Sequence, residues 1–364
     1  MTRVDALTVS AYTVPTEQPE SDGTFTWTAT TVVVAEPRAG DVTGLGFTYG
    51  SAACASVIDE SLRDVVLSTD PLDVPTAWRA MVDAVRNIGR PGVASAAIAA
   101  VDTALWDLKA KVLGLPLVDL LGRCHDAVAV YGSGGFTSYT DDQLVEQLSG
   151  WVDGDGIPRV KMKVGTAWGS RPRRDVDRVT KVRAAIGDAE LYVDANGGYT
   201  RKQSVRLARA FADQDVTWFE EPVSSDDLDG LRTIREQIDI DVAAGEYGYD
   251  LAYFERMCRA GAVDVLQADV SRCAGITEWL RAAAVAAAHG LQISGHCAQS
   301  LHAHPACAVP NIRHLEYFHD HARVDRLLFD GVLDPVAGVL APDRSVPGTG
   351  LILKHADADR HRVR

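Results

Sequence analysis

Paired cysteines, basic charge and long apolar runs are all scarce in this 364-residue chain. Its six cysteines (Cys54, Cys124, Cys258, Cys273, Cys297, Cys307) form no CxxC pair, so neither a zinc knuckle nor a disulfide framework is signalled. Reduced thiols in a cytoplasm are the expectation. Lysine and arginine number 36 against 50 aspartates and glutamates, a net charge of -14, which makes nucleic acid and anionic membrane surfaces poor partners. An anionic small substrate remains allowed, because a metal ion and a few cations reverse the sign locally. The alanine-rich stretch 282–288 is flanked by Arg281 and His289 and is too short to cross a bilayer. The N-terminal residues lack the apolar core of a signal peptide. A hydrophobic content of 46% and a charged content of 24% exclude disorder and fibre architectures.

A recurring pattern begins near residue 127. Short β-branched runs end in polar residues and are followed by amphipathic stretches. The runs are AVAVYGSGG, RVKMKVG, ELYVDANGG, VTWFEEP, DVAAGE, VDVLQADV, LQISGHC and HLEYF. Strands alternating with helices at this spacing demand a parallel sheet with right-handed crossovers. Eight of them fit a closed α/β barrel better than an open sheet. The first 125 residues read as an α+β unit. A strand-like TFTWTATTVVVAEP and a glycine-marked hairpin precede helical stretches, the last of which is rich in small residues and stops at Gly114 and Pro116. The expected division is 1–125, a barrel over 126–324, and a turn-rich tail, 325–364, that packs back on the first unit.

Active sites of parallel barrels lie where the strands' C-terminal ends converge. The ionisable residues there are Lys161 and Lys163, Asp194, Glu220, Glu246, Asp269, His296 and Glu316. Asp194, Glu220 and Glu246 end three adjacent strands. Three clustered carboxylates repel unless a cation sits among them. Oxygen-only ligation suits Mg²⁺, or Mn²⁺, rather than zinc. The bland alternative is that these acids merely begin helices. Lys161 and Lys163, two apart, both point into the barrel. A buried lysine beside another cation is expected to have a depressed pKa and to act as a base. His296 and Asp269 end neighbouring strands, and the carboxylate would fix the imidazole tautomer. Glu221 is expected on the opposite strand face from Glu220, a weaker candidate ligand.

Other features carry less. Gly132–Gly135 reads as a loop that lets substrate approach. His302/His304 and His319/His321 have the HxH spacing of some zinc barrels but come late in the chain, and read as loop or helix histidines. Arg171, Arg173, Arg174 and Arg178 read as a solvated helix face.

Together, the KxK of VKMKVG, the VDAN, the FEEP, the GE of AAGEY, QADVSRCAGITEW, SGHCAQ and HLEYF resemble the enolase superfamily, and within it the mandelate racemase subgroup. The resemblance spans essentially the whole chain. It implies a (β/α)₇β TIM-like barrel under an α+β capping domain completed by the C-terminal tail. It implies Mg²⁺ on Asp194, Glu220 and Glu246, and Lys163 as base. Lys161 would stand beside the substrate carboxylate, and a His296–Asp269 dyad would lie on the other face. It further implies Glu316 as hydrogen-bond donor to an enolate oxygen and Asn196 as a substrate contact. Loops at about 15–27 and 47–55 would close the site, with Trp27, Phe25 and Tyr49 touching substrate. The absence of a lysine on strand six argues against the cycloisomerase and dipeptide epimerase branches. The activity implied is dehydration of an acid sugar to a 2-keto-3-deoxy acid. The alternatives are a racemase or epimerase of a 2-hydroxy acid and, from another class, a catalytically silent ligand-binding barrel. A small carboxylate substrate and a homo-oligomer, dimer or octamer by family habit, complete the expectation.

Overall fold

The computed structural model describes residues 3–67 and 69–364. The chain opens with a long antiparallel hairpin, β1 (Ala6–Ser21) and β2 (Thr26–Ala39). Two short strands, β3 (Val42–Thr43) and β4 (Gly46–Tyr49), also pair with β2. Strand alternation on β2 feeds two cores. Val33 and Ala35 face the helices of the first domain, whereas Val32 and Val34 join the core shared with the barrel. The helix Val93–Leu113 lies almost on the backbone of β4. A Cβ on Gly46 would meet Ala104 N at 2.3 Å and Ala100 O at 2.5 Å, so glycine and alanine set this close approach. The helix ends where Gly114 turns left-handed at φ 67°.

Eight parallel strands form the second unit. They are β5 (Val128–Gly134), β6 (Arg159–Lys163), β7 (Glu190–Asp194), β8 (Val216–Glu220), β9 (Asp241–Ala244), β10 (Val265–Ala268), β11 (Gln292–Gly295) and β12 (Ile312–Phe318). β12 pairs with β5, closing the barrel, as the sequence led us to expect. Helices return the chain between strands. Thr140 and Thr200 begin two of them in capping boxes with Gln143 and Gln203. Tyr131, Tyr192 and Trp218 fill the barrel interior with His314. This aromatic plug leaves only the C-terminal mouth for chemistry.

Two expectations are corrected here. Gly132 and Gly134 belong to β5 rather than to a loop. A Cβ at Gly132 would strike the Trp151 ring at 2.5 Å, so the glycines admit a helix-side indole, not a substrate. Arg178 is buried, not solvated. Its guanidinium donates to the carbonyls of Lys163, Gly135 and Phe136 and so ties two strand ends together. It can do so because Val179, Val182 and Ile186 anchor that helix beside the barrel.

The capping domain docks behind the end of β10. Thr48 Oγ1 donates to Ser271 O at 2.6 Å and Trp78 Nε1 to Ala274 O at 2.9 Å. Asp102 accepts from both Thr277 N and Thr277 Oγ1. The tail returns to β1, where Val363 N donates to Ala11 O at 2.8 Å. Among the described residues no helix is long and apolar enough to cross a membrane.

Candidate active site

Register assembles the site. Lys163 is the lateral partner of Asp194, and Asp194 of Glu220, so three strand ends set their side chains in one row. Lys161, one inward step below Lys163, sits 5.2 Å from the Tyr131 ring centroid. Its Nζ lies 2.5 Å from Glu220 Oε1, 2.9 Å from Glu316 Oε1 and 3.7 Å from Asp194 Oδ2. Lys163 Nζ pairs with Asp194 Oδ2. Glu316 is held further by Ser133 Oγ at 2.5 Å and by the amide of Cys297 at 2.9 Å.

Across the mouth, His296 Nδ1 meets Asp269 Oδ2 at 2.8 Å. The other Asp269 oxygen accepts from the amide and hydroxyl of Ser271, both at 2.7 Å. His296 Nε2 lies 3.2 Å from Glu246 Oε2. Arg272 reaches Glu246 Oε1 at 3.1 Å and Asp269 Oδ2 at 3.4 Å.

Carboxylate oxygens of Asp194, Glu220 and Glu246 lie within 4.8 Å of one another, all on buried residues. These acids are not helix starters, because Asp227 and Asp250 cap the helices that follow β8 and β9. Glu246 Oε2, Glu221 Oε1 and Asn196 Oδ1 are buried without a hydrogen-bond partner. Buried oxygens left unpaired in this way, beside an oxygen-only trio, suit a hard dication.

The electrostatics agree in sign. Burial, aided by Asp194, Glu316 and Glu246, drives the Glu220 carboxyl up to about 8 despite Lys161. Burial pushes Glu221 well up, reinforced by Glu246, Asp194 and Glu220. The cluster therefore carries more negative charge than Lys161, Lys163 and Arg272 neutralise. Burial pulls His296 down, but Glu246 and Glu316, with the Asp269 hydrogen bond, outweigh it and hold the imidazolium above its ordinary range. Burial likewise opposes the ammonium of Lys163, yet Asp194 prevails over both burial and Lys161. The expected depression of Lys163 is thus reversed here, because a carboxylate is nearer than the second lysine is influential. Glu316 is ionised for the same reason: Lys161, His296 and Lys163 outweigh its burial. As a carboxylate it accepts hydrogen bonds and does not donate them.

A cavity of about 600 Å³ opens over these groups, lined by Lys163, Asn196, Glu246, Arg272 and His296 below and by Phe25, Trp27 and Tyr49 above. The segment expected as a loop at 15–27 is the tip of the β1–β2 hairpin, with a register irregularity between Pro15 and Glu20. Trp27 spends its indole N–H on Glu20 Oε2 at 3.0 Å. Tyr49 gives its hydroxyl to Asp325 and stacks on His321. Both therefore offer rings, not donors, to the cavity. Phe25 is 66% exposed. The HxH histidines lie on the helices Gln299–Cys307 and His319–Leu328, where His302 accepts from the amide of Val270.

Glu221 departs from the strand-face expectation. β8 ends at Glu220, and Glu221 adopts φ 38°, which leaves its side chain buried beside Glu246 rather than on the outer face. Arg272 and Cys297 lie inside quoted motifs, but the sequence reading gives neither a role in the site. The available signal was their spacing, three residues beyond Asp269 and one beyond His296.

Comparison with known proteins places this geometry. Residues 6–122 match the mandelate racemase / muconate lactonizing enzyme N-terminal domain, and residues 143–358 match the enolase C-terminal domain-like family. A 3,6-anhydro-alpha-L-galactonate cycloisomerase from Streptomyces coelicolor is 36% identical over 322 residues, 85% of each chain. An L-talarate/galactarate dehydratase from Salmonella typhimurium is 33% identical, over 87% of this chain and 81% of its own. The crystal structure of a mandelate racemase/muconate lactonizing enzyme-like protein from Rubrobacter xylanophilus superposes with a TM-score of 0.96 at 51% identity, covering 99% and 100% of the two chains. That of an L-talarate dehydratase from Polaromonas sp. JS666, complexed with Mg and L-glucarate, gives 0.90 at 32% identity, covering 100% and 98%. A cycloisomerase therefore stands among the relatives of this chain, whose strand six carries no lysine. With both domain models matched over most of its length, this chain belongs to the mandelate racemase/muconate lactonizing enzyme family of the enolase superfamily.

Proposed function

We propose that this protein is an acid-sugar dehydratase, removing the proton α to a carboxylate and expelling a β-hydroxyl as water. The observation that supports the reading is the placement of Lys163 at the end of β6 and of His296 just after β11, three strands away round the ring, both lining one cavity. Asp194, Glu220 and Glu246 would hold Mg²⁺, or Mn²⁺, and the dication supplies Lewis-acid stabilisation of the charge that develops on the substrate carboxylate.

Lys161 sets an ammonium beside that carboxylate, held in place by Glu220 and Glu316. Lys163 Nζ takes the α-proton, and the electron pair passes into the enolate. It serves only while Asp194 Oδ2 is committed elsewhere, because that contact is what retains its proton. His296, as imidazolium anchored by Asp269, gives its Nε2 proton to the departing hydroxyl. The enol then ketonises to a 2-keto-3-deoxy acid. Glu316 orients Lys161, and would donate to the enolate oxygen only after taking up a proton. Asn196 and the rings of Trp27, Phe25 and Tyr49 bound the substrate's far end.

A second reading follows from the 36%-identical relative. A 3,6-anhydro sugar acid carries its ring oxygen β to the carboxylate. The same α-abstraction, with His296 protonating that oxygen, opens the ring in place of releasing water.

The test is a screen of mono- and diacid sugars for 2-keto-3-deoxy product, with His296→Asn alongside. The wild type is expected to form the product. The variant should lose it and still exchange the α-proton in D₂O. Failure to exchange would make His296 the abstracting base. A diastereomer in place of keto acid would make the enzyme an epimerase.

A further inference from the structure

We propose that His296, Cys297 and Glu316 form a second metal site in this cavity, one for a thiophilic divalent cation, Zn²⁺ foremost, that shuts the acid–base centre when occupied. His296 Nε2 lies 3.4 Å from Cys297 Sγ, Cys297 Sγ lies 3.3 Å from Glu316 Oε2, and His296 Nε2 lies 3.7 Å from Glu316 Oε2. Zinc bonds of about 2.3 Å to sulfur and about 2.0–2.2 Å to nitrogen and oxygen, at tetrahedral angles, require edges of roughly 3.4–3.6 Å. Every edge of the tripod is within about 0.3 Å of that requirement.

The surroundings are those of a ligating histidine. Asp269 accepts from the remote ring nitrogen at 2.8 Å and is itself fixed by Ser271. A carboxylate behind the imidazole orients the ring and raises its basicity toward a metal. Glu246 Oε2, on a residue 2% exposed, lies 3.2 Å from His296 Nε2, so the tripod adjoins the oxygen trio at Glu246. One sulfur, one nitrogen and carboxylate oxygens form a mixed soft set that zinc and cadmium prefer and magnesium does not. The trio of Asp194, Glu220 and Glu246 is oxygen alone, so the two sites differ in taste as well as place. A cation on His296 Nε2 occupies the lone pair that the proton needs. Inhibition therefore rests on the acid–base reading above, whereas binding does not.

The experiment keeps Mg²⁺ saturating and titrates the protein with Cd²⁺. The ultraviolet sulfur-to-metal charge-transfer absorption should saturate at about one equivalent per chain, and Zn²⁺ should displace it. Cys297→Ser should abolish the absorption and weaken zinc binding at least tenfold by calorimetry. Glu220→Gln should keep both. Cys124 is the exposed thiol, so Cys124→Ser should also keep the absorption. No absorption in the wild type overturns the site, as does its loss in Cys124→Ser. Zinc affinity that survives Cys297→Ser but falls in Glu220→Gln places zinc on the carboxylate trio and overturns it equally. Under the expected result Zn²⁺ stops turnover at saturating Mg²⁺. Charge transfer with undiminished turnover keeps the site and refutes the role given to His296.

Discussion

Asp269→Asn isolates what the carboxylate does for the imidazole. Oδ1 keeps its two Ser271 donors at 2.7 Å, so the amide orients with its oxygen there and turns NH₂ toward His296. A donor then faces Nδ1, which must accept, and the ring's proton moves to Nε2 in a neutral tautomer. The lost contact is a hydrogen bond to a charged partner, worth about 1.5–3 kcal/mol. At about 1.4 kcal/mol per decade this favours the neutral ring by about 10- to 100-fold. The sign follows from the wild type, where Glu246, Glu316 and Asp269 hold the imidazolium above its ordinary range against burial. Removing one of them means that the acid form disappears at lower pH. The alkaline limb of kcat should begin about one to two pH units earlier, with turnover on that limb down about 10- to 100-fold. Steady-state kcat and KM across the neutral to alkaline range measure this, with Mg²⁺ affinity by calorimetry as control. An unmoved alkaline limb, or a defect confined to KM, refutes the argument.

Glu220→Gln removes one charge from the trio and the partner of Lys161. Mg²⁺ affinity should fall by more than about 100-fold, since even outer-shell changes cost 10- to 100-fold. Undiminished calorimetric affinity would strike Glu220 from the ligand set. Arg178→Met removes the guanidinium from the carbonyls of Lys163, Gly135 and Phe136, of which Gly135 and Phe136 keep backbone donors, the amides of Lys163 and Tyr139. At about 1–3 kcal/mol for the Lys163 carbonyl, with smaller losses at the two carbonyls that keep a backbone donor, urea unfolding should report a loss of about 2–4 kcal/mol. A loss below about 1 kcal/mol would mean that the guanidinium is dispensable. Glu20, buried beside Asp320 under the hairpin tip, has its carboxyl pushed up to about 8 by burial and then by that neighbour. A folded-state value above the unfolded one means that the native protein holds the extra proton, so stability declines as pH rises from about 4.5 toward 8. Glu20→Gln keeps an acceptor for Trp27 and removes that decline. Its melting temperature should exceed the wild type's at pH 8 and match it at pH 4, and equal melting curves at both would contradict the assignment.

The barrel was legible because its strands are buried on both faces and therefore read as β-branched runs, each with an ionisable terminus. Lys163, Asp194 and Glu220 could be grouped because parallel register carries one strand end to the next. Arg178 is illegible for a different reason. A helix face of four arginines looks solvated, and only tertiary packing decides which guanidinium turns inward to the carbonyls at the strand ends. Glycines 132 and 134 misled in the opposite direction. The local preference says loop, whereas the constraint is the Trp151 ring arriving from another element.

The remaining misses share one cause. Strand alternation assigns faces only while the backbone stays extended. At the mouth of this barrel it does not. Asn196, Glu221, Cys297 and Ala298 have φ of 44°, 38°, 46° and 42°, and Ala167, Trp168 and Ala274 in nearby rim loops are also left-handed. Each such residue costs about 1–2 kcal/mol without glycine's freedom. Only surroundings that over-determine the backbone sustain that strain, and here it gathers where strand ends meet the cavity. Its effect is to give two successive residues to one site. Glu221 follows Glu220 into the acidic cluster, and Cys297 follows His296 to the same cavity. A period of two therefore finds the first member of each pair and sends the second outward, which is why it puts Glu221 on the wrong face and gives the Cys297 thiol no place in the site.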